Sequence, residues 1–277
     1  MMRFSYYPGC SAHSTAREYD ASTRAVCRAL GIELDELADW NCCGSSSASH
    51  TNRELSAALS LRNLILADTH DADLVATCAF CFNRLKTAQK NIEPSIRQQV
   101  EQIAGAPYQG KTRVRHLLDI LVNDVGLDAL KHQVKQPLTR FTAVAYYGCL
   151  LVRPRDGGFD DPEHPRVMDR LLQTVGVDCR DWAYKTECCG ASLSITRPDV
   201  VTRLVRNLFQ RAEETGAQCV VTACPLCFSN LETRAPTGGR GLPVFYFTEL
   251  VALAFGIPET KQWFGKHLIK VSKVASV

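Results

Sequence analysis

The sequence has no apolar run long enough to cross a membrane, which takes about 18 or more apolar residues. Its longest apolar region, Val244 to Pro258, is interrupted by Thr248 and Glu249. The opening MMRFSYYPGC holds no apolar stretch of signal-peptide length, so no leader is expected. An excess of charge of one sign is missing too. Lys and Arg total 32 against 29 Asp and Glu, a net charge of +3 that points to neither nucleic acid nor a membrane surface as partner. There is no GxGxxG for a dinucleotide and no P-loop. The bacterial ferredoxin run C-x2-C-x2-C-x3-C-P is absent as well.

Cysteine is what the chain has in plenty: 13 in 277 residues. The number is odd and the chain is long, which argues against a small secreted disulfide scaffold. A reducing cytoplasm is the expected setting. There, clustered cysteines bind metal or do redox work more often than they form structural disulfides. Hydrophobic residues at 45 % support sizeable cores. The length suggests about two domains.

The cysteines repeat. The first half reads YYPGC (Cys10), NCCG (Cys42, Cys43) and CAFC (Cys78, Cys81). The second reads YYGC (Cys149), ECCG (Cys188, Cys189) and CPLC (Cys224, Cys227). Thirty-four residues separate the pair from the CxxC in both halves, while the first interval is 31 in one and 38 in the other. The extra length falls in the turn-rich stretch Arg155 to Pro162, read as a loop insertion.

The flanking patterns repeat too. Strands are expected at Phe4 to Tyr7, Thr142 to Tyr147, Leu74 to Thr77 and Cys219 to Thr222. Helical spacing runs over Ala16 to Leu30, Arg166 to Val175, Arg53 to Ala67 and Asp199 to Glu214. Gly31 and Gly176 read as helix stops. Strands alternating with helices imply an α/β fold with mainly parallel sheets. Two duplicated, pseudo-symmetric domains are expected, 1–136 and 137–277. The junction from Ile92 to Gln136 should hold more helix and one strand near Val114 to Leu118. In such sheets, functional groups collect at the carboxyl ends of strands.

Adjacent cysteines are poorly placed to bond each other. Consecutive Cα atoms lie about 3.8 Å apart, and a relaxed disulfide wants about 4.4–6.8 Å. Each half therefore offers five sulfurs to something else. Structural zinc takes four ligands, leaving one idle. Ordinary [2Fe–2S] and [4Fe–4S] clusters also take four. A thioredoxin-like dithiol accounts for one CxxC but not for the pair upstream. An iron–sulfur assembly more open than a cube accounts for five thiolates. Zinc in one half remains the alternative. Gly44 and Gly190, directly after each pair, are expected to allow unusual φ and close backbone approach to the bound group.

This C…CCG…CxxC pattern, present twice, resembles the cysteine-rich CCG domains of the B-type subunit of heterodisulfide reductase. YYGCLLVRPRDGGFDDPEHP, ECCGAS and CPLCFSNLE carry the resemblance, which runs from about Phe4 to beyond Phe255. It implies that each five-cysteine set holds a non-cubane [4Fe–4S] cluster. It also implies that the two clusters face each other across a disulfide that they cleave or form. The implied partners are a ferredoxin-like subunit plus a flavin-bearing subunit. In methanogens the family's substrate is the coenzyme M–coenzyme B heterodisulfide. Related bacterial assemblies act on sulfur carried by a lipoate-bearing protein, and the expectation leans that way. The competing expectation is an electron relay for a lactate, glycolate or succinate dehydrogenase.

Other residues carry blander expectations. Cys27, Cys179 and Cys219 lie outside the pattern and read as small buried hydrophobes. His13 reads as a surface or supporting residue. Arg153, Arg155 and Lys185 are expected on a solvated charged loop rather than against an anionic substrate. The tail from Lys261 to Lys273 is expected to pack on protein rather than on a membrane surface.

Overall fold

Short apolar strands alternate with helices to give two four-stranded sheets, each strand parallel to its neighbours. The computed structural model describes residues 2–90, 92–153, 158–236 and 241–271. The first sheet contains β1 (Met2–Tyr7), β2 (Ile32–Glu36), β3 (Leu74–Ala76) and β4 (Val114–His116), in the order β2-β1-β3-β4. The second contains β5 (Thr142–Tyr146), β6 (Asp178–Arg180), β7 (Cys219–Thr222) and β8 (Val244–Tyr246), in the order β6-β5-β7-β8. The expected duplicated α/β fold is therefore present.

The inner strand β3 (LVA) and its counterpart β7 (CVVT) are buried at every residue. Helices cover both faces of a parallel sheet, so such strands read as unbroken apolar runs. The edge strand β2 (IELDE) has one buried residue and four partly or fully exposed, and β6 (DCR) has none buried. Neither shows the apolar signature, and sequence reading missed both. It also missed β8 (VFY), which runs straight into the helix Phe247–Ala254. A continuous apolar stretch does not reveal where strand gives way to helix. The segment read as a junction supplies β4 where one strand is expected, and β4 completes the first sheet.

Helix ends follow local chemistry. Gly31 and Gly176 stop the helices Arg17–Ala29 and Val167–Thr174 with φ of +68° and +94°. Asn52 caps Arg53–Ala67 by accepting the Leu55 N–H at 3.0 Å. Residues 155–157 of the expected insertion lie outside the described residues, and 158–162 form neither helix nor strand.

The halves exchange helices across their boundary. The helix after β8, Phe247–Ala254, packs on Arg17–Ala29 of the first half. The helix Leu127–Gln133, after β4, packs on Val167–Thr174 of the second. Ser22 and Thr248 hydroxyls hydrogen-bond at 2.7 Å, and the Tyr19 and Tyr246 rings stack at 4.1 Å. One apolar core runs through both halves. The tail packs on its own chain as far as it is described. The Glu232 carboxylate accepts the N–H groups of Leu268 and Ile269, and His267 meets Glu249 at 2.9 Å.

Candidate functional site

Strand order sets the location. After β1 the chain crosses to β2 on one side, and after β3 it crosses to β4 on the other. The carboxyl ends of β1 and β3 therefore flank a topological switch point, where open α/β sheets bind ligands. Cys10 follows β1, and Cys78 and Cys81 follow β3. In the second half Cys149 follows β5, and Cys224 and Cys227 follow β7.

All thirteen cysteines are free thiols. The first five form a chain of touching sulfurs. Cys10 lies 3.7 Å from Cys42, and Cys43 lies 3.3 Å from Cys81. Cys42 and Cys43 lie close enough to shift each other's acidity, as do Cys78 and Cys81. The second five repeat this closely, with Cys149–Cys188 at 3.8 Å and Cys189–Cys227 at 3.5 Å. The two sets approach each other at Cys78 and Cys224, each of which shifts the other's acidity. Among the described residues, no three His, Cys, Asp or Glu side chains form a site for a single metal ion.

Gly44 and Gly190 have left-handed φ of +80° and +79°. Their N–H groups donate to the first sulfur of each pair, Gly44 to Cys42 and Gly190 to Cys188 at 3.3 Å. A Cβ at either glycine would meet the segment that follows the pair. A Cβ on Gly44 would lie 2.8 Å from Ala48 Cβ, and one on Gly190 3.0 Å from Leu204 Cδ1. The glycines that press on sulfur are Gly9 and Gly148, with φ of +75° and +70°. A Cβ on either would lie 3.1 Å from a sulfur, Cys81 Sγ or Cys227 Sγ respectively.

Two tyrosines tie down the adjacent-cysteine loops. The Tyr7 hydroxyl donates to Asn41 O at 2.8 Å, and Tyr146 donates to Glu187 O at 2.7 Å. Each carbonyl belongs to the residue before the pair. Tyr7 therefore corresponds to Tyr146, three residues before the first cysteine of each set. The repeated YYPGC and YYGC contained this signal, but aligning their double tyrosines hides it. The two halves differ elsewhere. Arg84 donates to Ser45 O and Ser49 Oγ, whereas Asn230 at the same place donates to Cys189 O at 3.2 Å.

The thiols differ in acidity. The hydrogen bond with Cys149, with help from the Gly190 N–H, holds the Cys188 thiol down to about 6. Cys149 is pushed up by the same bond and by burial. Cys42 is lowered by its bonds with Cys10 and Cys43, while Cys10 is raised. Thiolate is the form that binds metal.

Lys185 is not on a solvated loop. It is buried, with Nζ 2.7 Å from Asp169 and 2.9 Å from Asp181, and its carbonyl accepts the Tyr147 and Gly148 N–H groups. The bend before Cys149 needs those two contacts, so this residue is drawn into the fold. Arg153 is exposed, and Arg155 lies outside the described residues. Cys27 and Cys219 are buried as expected, while Cys179 is half-buried, 3.7 Å from Asp169 Oδ1. His13 is at the surface, 3.3 Å from Glu36.

Residues 4–86 and 143–232 match the family model for the CCG cysteine-rich domain. The chain belongs to the CCG family. Its relatives include the 8-methylmenaquinol:fumarate reductase membrane anchor subunit of Wolinella succinogenes, 28 % identical over 98 % of each chain. A protein of Archaeoglobus profundus, named as like the B-type subunit of heterodisulfide reductase, is 29 % identical over 94 % of this chain and 93 % of its own. A hypothetical protein of Helicobacter pylori of known crystal structure shares the fold, with a TM-score of 0.74 at 12 % identity. It matches over 98 % of this CCG chain and 53 % of its own length. In the CCG chain no described helix is long and apolar enough to cross a membrane.

The CCG residues suit a bound group of several metal atoms. Ten free thiols lie at the ends of two sheets, in contact but unbonded. Glycines stand where a side chain would push sulfur aside, and backbone N–H groups donate to sulfur. Such bonds are among the features that set an iron–sulfur potential.

Proposed function

We propose that this CCG protein is the iron–sulfur redox subunit of a heterodisulfide reductase-like complex, an oxidoreductase acting on sulfur groups. Its two sets, Cys10, Cys42, Cys43, Cys78, Cys81 and Cys149, Cys188, Cys189, Cys224, Cys227, would each hold a non-cubane [4Fe–4S] cluster. The observation that carries this reading is the same chain of sulfur contacts in both halves, Cys10–Cys42 and Cys43–Cys81 in one, Cys149–Cys188 and Cys189–Cys227 in the other. When bound, such clusters supply one-electron transfers and an iron open to a thiolate.

Cleaving a disulfide takes two electrons and two protons and yields two thiols; the reverse step releases them. Two matched sulfur sets back to back suit a reaction in which the electrons arrive singly and both sulfurs are handled together. The thiolates hold the metal. The Tyr7 and Tyr146 hydroxyls fix the loops that bring the cysteine pairs in. Gly9 and Gly148 leave room for Cys81 and Cys227. The proposed partners are a ferredoxin-like subunit plus a flavin-bearing subunit. The proposed setting is the cytoplasm, and the proposed substrate is a thiol or disulfide, with carrier-bound lipoate sulfur favoured.

A second reading, an electron relay for a dehydrogenase, is favoured by the full-length likeness to the fumarate reductase subunit. Anaerobic purification with iron, sulfide and zinc analysis tests both. About eight irons and eight sulfides per chain match two four-iron clusters. Zinc without sulfide ends the iron–sulfur reading. A thiol-induced change in the EPR spectrum selects substrate chemistry over relay.

A further inference from the structure

Asn230 lies three residues after Cys227, on the helix Pro225–Thr233, and is buried. Its neighbours decide which way the amide points. Oδ1 accepts the Ser194 hydroxyl at 2.8 Å and the Arg234 guanidinium at 3.0 Å. A guanidinium only donates, so the amide oxygen must face it. The amide nitrogen is thereby turned to Cys189. It donates to the Cys189 carbonyl at 3.2 Å and to the Cys189 sulfur at 3.7 Å.

The first half is built differently at this point. Arg84, three residues after Cys81, turns to Ser45 O and Ser49 Oγ. The Cys43 carbonyl accepts the Ser60 hydroxyl at 3.3 Å. The Cys43 sulfur meets Cys81 Sγ at 3.3 Å, and among the described residues no side-chain nitrogen or oxygen donates to it. An N–H aimed at sulfur stabilises negative charge there, and more so where water is excluded, as at the buried Cys189. Hydrogen bonds to sulfur are among the features that set an iron–sulfur potential, and a donor favours the reduced, more negative state.

We propose that Asn230 is a positioning residue that acts through the Cys189 sulfur, stabilising negative charge on it, and that it makes the second cysteine set more readily reduced than the set would be without the amide. The spectroscopic part of the test rests on the iron–sulfur reading above; the thiol part does not. Leucine at this position removes the whole amide. Aspartate keeps an acceptor for Ser194 and Arg234 and puts oxygen where the donor was. Ser194→Ala removes one bond to Oδ1 and leaves the donor in place.

The test compares wild type with Asn230→Leu, Asn230→Asp and Ser194→Ala, each first checked for cooperative melting. In iron-loaded protein titrated with dithionite and followed by EPR, the reduced-to-oxidised ratio of one cluster at a fixed potential should fall about tenfold in both Asn230 variants, which is about 59 mV for one electron. The other cluster, and both clusters of Ser194→Ala, should stay at wild-type values. In apo-protein equilibrated with glutathione, Cys189 and Cys227 lose two electrons and two protons as one glutathione disulfide becomes two glutathione. Peptide mapping should find the Cys189–Cys227 disulfide forming at a several-fold more reducing glutathione ratio in both Asn230 variants. A wild-type thiol equilibrium in both Asn230 variants, or an equal shift in Ser194→Ala, overturns the proposal whether or not iron is bound. Full iron with unchanged potentials in both Asn230 variants overturns it as well. Wild-type protein that takes up no iron or sulfide overturns the iron–sulfur reading, and an Asn230-dependent thiol equilibrium in that protein supports the positioning role.

Discussion

Replacing Gly148 by alanine separates backbone strain from pressure on a sulfur. Gly148 has φ of +70°, a conformation that costs an L-residue roughly 1–2 kcal/mol. Its added Cβ would also lie 3.1 Å from Cys227 Sγ, tighter than ordinary van der Waals contact. Gly216 has nearly the same φ, +77°, with nothing within 4 Å of an added Cβ. Gly216→Ala therefore carries the strain alone. At roughly 2–4 °C per kcal/mol for a chain of this size class, it should melt about 2–8 °C below wild type. Gly148→Ala should melt lower still, since crowding a packed interior costs about 1–3 kcal/mol more. After anaerobic reconstitution it should also bind about half the wild-type iron, whereas Gly216→Ala binds the full amount. Scanning calorimetry and iron analysis read the two effects. Equal melting temperatures and full iron in both variants would refute the claim that Gly148 is there to make room for Cys227.

The hydroxyls holding the paired-cysteine loops should rank in a definite order. Tyr146→Phe removes the donor to Glu187 O from a part-buried bond, at a cost of about 0.5–1.5 kcal/mol. Tyr7→Phe should cost less in the same denaturant titration, because Asn63 Nδ2 also donates to Asn41 O at 2.8 Å. Lys185→Met leaves Asp169 buried without its cation and should cost roughly 3–5 kcal/mol; adding Asp169→Asn should restore part of it. Burial pushes the His267 imidazole down, but the charge and hydrogen bond of Glu249 outweigh it, so its pKa is raised from 6.5. The tail contact it makes is then fully present below about pH 6.5 and is lost as pH rises through the folded-state pKa. Wild-type melting temperature should fall over that upper range, and His267→Gln should show a flatter profile.

Local pattern carried much of this protein. The helix Arg53–Ala67 and the strand Cys219–Thr222 lie where apolar spacing put them. Five sulfurs per half, two paired and two in CxxC, could be read from the chain because the repeat preserves their order. Edge strands were hidden because β2 and β6 are largely exposed and need no apolar code. The glycines after the pairs drew attention, whereas Gly9 and Gly148 press on sulfur. That difference depends on where Cys81 and Cys227 come to rest, and residues far apart in sequence decide it.

The sequence by itself determined the duplicated α/β plan, the ten repeated cysteines, and the place of the first cysteine and the CxxC of each half at strand ends, since each follows from spacing along one chain. Only the tertiary structure decided that sulfurs distant in sequence come within 3.3–3.8 Å of one another, that Lys185 is buried, and that Gly9 and Gly148 face the sulfurs of Cys81 and Cys227. Those contacts join residues far apart in sequence, and packing between distant segments leaves no periodic trace in either one.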